Sequence, residues 1–107
     1  MLYEFRSYEA MPSKMPDLNR RFADHAHRLF QKHGFQVVGY WTEIIGESNR
    51  LSYLLAWKDL NERQDKWAAF QGDSEWQRAR EESEVNGPLV ARIHNAIWRP
   101  TAYSPMQ

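Results

Sequence analysis

Charged and phenolic side chains alternate near the start of the chain in a pattern that could form a binding site. Glu4, Arg6 and Tyr8 are each separated by one residue, so a strand over residues 2–9 places all three on one side of a sheet. A buried arginine between carboxylates can hold an anionic or phenolic ligand, because its planar guanidinium forms paired, charge-assisted hydrogen bonds. A glutamate in such a cluster could act as a general base if burial raised its pKa.

The stretch GFQVVGYWTEIIGESNRLSYLLAW, residues 34–57, predicts a hairpin with a turn over residues 46–49. Such a turn pairs Ile45 with Arg50 and makes one side of the hairpin almost wholly apolar. We expect that side to lie under helices, with Val38, Tyr40, Thr42, Ile44, Leu51, Tyr53, Leu55 and Trp57. The other side mixes apolar and charged residues: Val37, Gly39, Trp41, Glu43, Arg50, Ser52, Leu54 and Ala56.

The same reasoning assigns the outer strands. Tyr3 and Phe5 are expected under the helices, which leaves Glu4, Arg6 and Tyr8 on the mixed side. In a last strand over residues 89–98, Ile93 and Ile97 suit the core and leave Trp98 on the mixed side. The candidate ligand-binding residues on that side are Glu4, Arg6, Tyr8, Trp41, Glu43 and His94.

Alternatives remain for these candidates. Arg6 could pair with Glu4 or Glu43 in a purely structural network that fills the interior. His94 could serve as a haem ligand or a general base. The remaining histidines, His25, His27 and His33, lack the i,i+4 spacing of a helical two-histidine metal site and indicate ordinary surface or border positions.

Helical periodicity links the strands. A buried stripe is predicted for a first helix that ends before Gly34: Met15, Leu18, Phe22, Ala26, Leu29 and Phe30. Asp59 predicts the N-cap of a second helix that buries Leu60, Trp67 and Phe70, and Asp73 or Ser74 can cap a short third helix through Trp76 and Ala79. The order β-α-β-β-α(α)-β predicts an α+β, ferredoxin-like domain over residues 1–100, with a tail at 101–107.

A four-stranded antiparallel sheet with helices on a single face leaves the mixed side uncovered. That side is too apolar to face water, yet it carries charges that a dry core would reject. A second copy of the chain laying its sheet over this side would form a two-sheet barrel. The sequence therefore predicts a homodimer with a dimeric α+β barrel.

Composition excludes several classes of function. The chain has 14 lysines and arginines and 14 aspartates and glutamates, so we expect neither nucleic acid nor membrane as a partner. There is no cysteine, which excludes thiol catalysis and thiolate metal sites, and no cofactor or metal is expected. The start MLYEFRSYEA shows no basic leader, and no apolar segment approaches the length of a membrane span, so a cytoplasmic location is expected.

Several segments together resemble one protein family. The strand YEFRSY, the helix ending LFQKHGF, the hairpin VVGYWTEIIGESNRLSYLLAW and the segment DLNERQDKWAAFQGDSEWQ resemble the NIPSNAP family over about residues 2–100. The family's usual PGK after the first strand is Pro12-Ser13-Lys14 here. The resemblance implies a dimeric α+β barrel, in a superfamily that also contains cofactor-free quinol monooxygenases and haem-degrading enzymes. It implies no established reaction.

Three functions fit these observations. The first is a homodimer that binds a small aromatic or anionic metabolite in the barrel without a metal. The second is a cofactor-independent monooxygenase or isomerase that uses Tyr8, His94 or a glutamate to deprotonate its substrate. The third is a non-catalytic interaction module that presents its helices to a protein partner.

Overall fold

The chain folds into one antiparallel sheet with helices packed against a single face. The structure, a computed structural model, describes all of residues 1–107. The strands are β1 (Leu2–Ala10), β2 (Gln36–Thr42), β3 (Arg50–Trp57) and β4 (Val90–Trp98). The helices are α1 (Met15–Arg21), a π-helical turn (Phe22–Ala26), α2 (His27–Lys32), α3 (Leu60–Gln71) and α4 (Ser74–Ser83). The strand order β2-β3-β1-β4 confirms the predicted ferredoxin-like fold.

The first helical region runs from α1 through the π turn into α2 without a break in helical backbone. Leu18, Phe22, Ala26 and Phe30 recur every four residues and are all buried, as predicted. In an α-helix each four-residue step turns about 40° past a full circle, so such a stripe drifts around the axis. The wider π turn removes part of that drift. It thereby keeps all four side chains against the sheet.

The predicted helix boundaries are confirmed. Gly34 follows α2 with φ of +77°, a left-handed conformation that glycine adopts without strain. The Asp59 carboxylate accepts the Glu62 N–H at 2.8 Å and caps α3. Along α3 Phe70 is buried, but Leu60 is 57% exposed, which corrects its predicted burial.

The β2–β3 connection is longer than predicted. Thr42 pairs with Leu51, so the loop spans residues 43–49 and Ile45 does not pair with Arg50. Ile44 is fully exposed instead of packing under the helices. The register is displaced from the predicted one by two residues, so Tyr40 and Thr42 keep their predicted face, because side-chain direction repeats every second residue.

A β-bulge reverses the assignment of two valines in β2. The pairing skips one residue between Val37 and Gly39, so Val38 has no partner in β3. Val37 packs against the core, and Val38 is 39% exposed, which is the opposite of the prediction.

The strand β1 also presents the opposite face from the one predicted. Glu4, Arg6 and Tyr8 pair with Leu55, Tyr53 and Leu51, whose side chains lie in the core under the helices. Tyr3 and Phe5 therefore lie on the uncovered face, where Phe5 stacks on Trp98 with ring centroids 5.2 Å apart. The prediction failed because both faces of β1 carry aromatic residues and the charges on the covered face are neutralised by distant segments.

The covered face of the sheet holds the core. Its fully buried side chains include Trp57, Tyr53, Phe30 and Leu55. In β4, Ile93 and Ile97 point toward the helical side, as predicted, but remain 48% and 39% exposed because the helices do not reach across this edge strand. None of the helices is long and apolar enough to cross a bilayer.

Candidate functional site

The carboxylate of Glu4 lies at the centre of a buried polar cluster under the helices. Its side chain has no solvent exposure, and it accepts six hydrogen bonds of 2.8–3.2 Å. The donors come from β1, β3, α3 and β4, and are Arg6, Trp57, Arg63, Trp67 and Asn95. Glu4 therefore links α3 to three strands of the sheet.

The surroundings of Glu4 stabilise its ionised form. Burial alone would raise the pKa of this carboxyl, but hydrogen bonds from Arg63 and Trp67 and the charge of Arg6 lower that pKa from 4.5 to about 2. Arg63 contributes a bidentate pair, with its Nε and Nη2 atoms 2.8 and 2.9 Å from the two carboxylate oxygens. Two guanidinium groups surround one carboxylate, so the cluster keeps one net positive charge. Because the Glu4 carboxylate already accepts six hydrogen bonds from the protein, it is not free to take a proton from a ligand as a general base.

Arg6 carries the positive charge of the cluster toward open space. Its guanidinium donates to Glu4 at 3.1 Å, to the Tyr53 hydroxyl at 2.9 Å and to the Tyr8 hydroxyl at 3.2 Å. It also lies 4.6 Å from the centroid of the Trp67 ring, in a cation–π contact. These contacts hold Arg6 in one orientation at the edge of a cavity.

The cavity lies between the helices and the β1–β4 side of the sheet and has a volume of about 680 Å³. Phe22, Trp67 and Trp76 are among its aromatic walls. The charged residues of its lining are Arg6, Arg21, Arg80, Arg92 and Glu84. Arg92 pairs with Glu9, so its side chain leaves β4 on the uncovered face, and the other four give an excess of two positive charges. The space is of the size that small organic ligands occupy.

Arg21 adds a second buried guanidinium to this cavity. Its side chain is 8% exposed, and its Nη1 atom lies 3.2 Å from the Ser83 hydroxyl and 3.5 Å from the Glu84 carboxylate. Its Nε atom is buried without a hydrogen-bond partner. Burial lowers the pKa of Arg21, and the charge of Glu84 partly offsets that effect. An unpaired buried N–H is costly, so the protein's own groups compensate Arg21 only in part.

The structure divides the six predicted site residues between the two faces of the sheet. Glu4, Arg6 and Tyr8 come together under the helices, and the latter two line the cavity. The other three do not line it: Trp41 pairs with Ser52, His94 pairs with Ser7, and Glu43 accepts the Glu47 N–H in the exposed loop. Their role in ligand binding remains a prediction.

Sequence reasoning missed Arg21, Arg63 and Asn95. Arg21 follows Leu18 by three residues on the buried stripe of α1, and Arg63 lies three residues after Leu60 and four before Trp67. A cation on an apolar helical stripe was a readable signal of a buried charge. Asn95 had no such signal, because its partner Glu4 is 91 residues away in sequence.

Trp67 and Trp76 combine two roles. Both pack against the core, as predicted. Each also has a guanidinium over its ring: Arg6 lies 4.6 Å from the Trp67 centroid, and Arg21 lies 5.6 Å from the Trp76 centroid.

No group of three or more histidine, aspartate or glutamate side chains is arranged to hold a metal ion. The helix histidines make local contacts: His27 with Tyr40 at 2.9 Å, and His33 with Asp73 at 2.7 Å.

The chain is similar to proteins from animals and bacteria. The NIPSNAP family model matches residues 3–105. The human protein NipSnap homolog 3A is 36% identical over 78 residues, which cover 72% of this chain and 31% of that protein. The chain spans about a third of the length of the curated relatives it matches.

Solved structures show the same fold. A NIPSNAP-family protein of unknown function from Agrobacterium tumefaciens is 24% identical, with a TM-score of 0.87 over 100% of this chain and 94% of that one. A putative antibiotic biosynthesis monooxygenase from Nitrosomonas europaea is 11% identical, with a TM-score of 0.65 over 94% of this chain and 98% of that one. The second likeness concerns the fold alone. On the family match and the relatives together, this chain belongs to the NIPSNAP family.

Proposed function

We propose that this protein binds a small aromatic organic anion in the cavity between its helices and its sheet. One chain supplies all of the residues that line this cavity. The proposed site therefore lies inside one subunit and not in the space between the sheets of two subunits. No step of this proposal requires a metal or a cofactor.

The observation that carries the proposal is the excess of positive charge in one cavity that Arg6 and Arg21 both line. Arg21 is buried and Arg6 is partly buried, and the one carboxylate that lines the same space, Glu84, already contacts Arg21 and Arg80. An anionic ligand would offset this charge excess. Trp67 and Trp76 offer flat apolar surfaces for its ring.

A matched pair of ligands tests this function. Thermal unfolding in the presence of 1-naphthoate and of its methyl ester compares one ring with and without its charge. A ligand at 100 times its Kd stabilises the folded state by about 2.7 kcal/mol, which corresponds to a Tm increase of several degrees. We expect the carboxylate to raise Tm and the ester to leave it nearly unchanged.

Variants locate the binding site. Arg21→Gln should weaken naphthoate binding about tenfold or more, because the lost interaction is charge-assisted. Arg78→Gln removes an equally long cation from an exposed position of α4 outside the cavity, and it should bind as the wild type does. Equal Tm shifts with acid and ester, or equal affinities in wild type and Arg21→Gln, would refute the proposal.

We further propose that the functional unit is a cytoplasmic homodimer formed through the uncovered face of the sheet. The centre of that face carries no formal charge: Tyr3, Phe5, Leu54, Ala96 and Trp98 lie there. Trp41 and Trp98 are about half exposed, at 52% and 49%. An apolar patch on β1, β3 and β4 suits a two-fold interface, in which each copy presents the same patch.

Native mass spectrometry and light scattering test the homodimer. The wild-type mass should be twice that of the chain at micromolar concentration. Leu54→Asp, which places a charge at the centre of the patch, should give a folded monomer. A wild-type protein that stays monomeric under these conditions would refute the dimer and leave the cavity proposal intact.

A further inference from the structure

The hydroxyl groups of Tyr8 and Tyr53 form a small hydrogen-bonded network with Arg6. The two oxygens lie 2.8 Å apart, and each accepts a hydrogen bond from the Arg6 guanidinium. Each hydroxyl carries one proton, but only one proton can lie between the two oxygens. The other proton must point elsewhere.

Burial decides which hydroxyl keeps the free proton. Tyr53 has no solvent exposure and no third hydrogen-bonding partner, so an O–H directed away from Tyr8 would remain unpaired in the core. Tyr53 therefore donates to Tyr8. Burial also raises the pKa of Tyr53, which keeps its proton in place. The O–H of Tyr8, which lines the cavity, is left to donate to a ligand.

Arginine side chains near the Tyr8 hydroxyl provide further hydrogen-bond donors. The guanidinium of Arg6 has five N–H groups, of which three donate within the cluster, so two remain to donate to a ligand. At the end of α4 the cavity is lined by Arg80 and by Glu84, the residue that follows the helix, and these two form an ion pair at 3.6 Å.

The cavity contains no free base to balance these donors. Glu4, behind Arg6, is shared between Arg6, Arg63 and three neutral donors, and Glu84 contacts Arg21 and Arg80. A ligand oxygen beside Tyr8 thus meets hydrogen-bond donors and positive charge. Such an environment favours the ionised form of a weakly acidic hydroxyl.

We propose that the cavity binds planar phenols and enols as their oxyanions, with the negative oxygen at the Tyr8 hydroxyl and the Arg6 guanidinium. This inference rests on the proposed function and narrows its ligand class to weak acids that the site itself brings into the ionised form. The ligand O–H bond breaks, its electron pair stays on the oxygen, and the proton passes to solvent buffer. The ring lies against Trp67 and Trp76.

4-Nitrophenol tests the inference directly, because its phenolate absorbs visible light and the neutral form does not. Equilibrium dialysis measures binding, and the phenolate band measured against pH gives the pKa of free and of bound nitrophenol. A nearby opposite charge lowers a pKa by about 1–3 units, so the bound phenol should ionise about ten- to a thousandfold more readily than the free one.

Tyr8→Phe removes only the donating hydroxyl and should reduce this pKa shift while nitrophenol still binds. Tyr53→Phe keeps the free O–H of Tyr8, so it should retain more of the shift, and Arg78→Gln should retain all of it. Circular dichroism confirms that each variant is folded. A purely structural role for Tyr8 would change the affinity of the site but not the pKa of its bound ligand.

The outcomes separate the two proposals. If nitrophenol binds with an unchanged or raised pKa, or if naphthoate binds and nitrophenol does not, the oxyanion inference is overturned and anion binding stands. If neither compound binds, both proposals fail. A lowered pKa that Tyr8→Phe diminishes supports both.

Discussion

The two faces of the sheet differ in a way that reverses ordinary expectation. The face under the helices holds a carboxylate and two guanidinium groups, whereas the centre of the uncovered face holds aromatic and aliphatic side chains without a formal charge. Adjacent residues of β3 show the contrast: Leu55 is fully buried under the helices, and Leu54 lies on the other face. Charge can be buried when every polar atom finds a partner, so polarity alone does not identify the solvent side of a strand.

The largest expected effect tests the charged side of this comparison. Glu4→Gln should destabilise the fold by about 3–5 kcal/mol, because it removes the fully buried anion and leaves the partly buried cations Arg6 and Arg63 without it. Urea unfolding measures the loss. Glu9→Gln removes the same charge from an exposed position of β1 and should change stability by no more than about 0.5 kcal/mol. Similar losses in both variants would contradict the central role of Glu4.

The neighbouring leucines of β3 test the apolar side. Leu55→Ala should cost about 2–5 kcal/mol, since it leaves a cavity in a closed core. Leu54→Ala should cost about 1 kcal/mol when the protein is dilute enough to be monomeric. Chemical denaturation of both variants at one low concentration makes the comparison, and a larger loss for Leu54 would mean that the uncovered face is the better packed one.

Acid should weaken the covered face selectively. The pKa of Glu4 is lower in the folded protein than in the unfolded chain, so its stabilising contribution is complete above about pH 4.5 and is lost as pH falls through about 2. That contribution amounts to about 3 kcal/mol. The difference in unfolding free energy between wild type and Glu4→Gln should shrink over this interval. A constant difference from pH 5 to pH 2 would show that the Glu4 charge does not act in this way.

The smallest expected effect concerns the exposed loop between β2 and β3, residues 43–49. Ile44 and Ile45 are 100% and 94% exposed, so Ile44→Ser and Ile45→Ser should each change monomer stability by no more than about 0.5 kcal/mol. Thermal unfolding at low concentration measures this. A loss of several kcal/mol would mean that the loop packs against the domain, as its predicted place in the hairpin required.

Local pattern was sufficient to predict the fold. The helical stripe of Leu18, Phe22 and Ala26, the cap at Asp59 and the glycine stop at Gly34 depend on residues within a few positions of one another, and the structure has all of them. The order of these elements then leaves few ways to form an antiparallel sheet.

The face of β1 could not be predicted from local pattern. Glu4 is buried because Trp57, Arg63 and Asn95 meet it, and those partners lie 53 to 91 residues further along the chain. Arg6 and Tyr8 were predicted to lie close together, and they do, but the side of the sheet was wrong because both sides contain large apolar residues. The bulge at Val38 likewise leaves no mark in composition, since two adjacent valines suit either face.

Because of this bulge, β2 can lose one residue at Val38 without a change in the fold. Val38 is the one residue of β2 that the pairing with β3 skips, while Val37 and Gly39 face consecutive partners, Leu55 and Leu54. Deleting Val38 would therefore produce an uninterrupted ladder with every other side chain still on its present side. Homologous chains shorter by one residue at this point can share the whole architecture, and an alignment gap here marks a regularised strand and not a lost element.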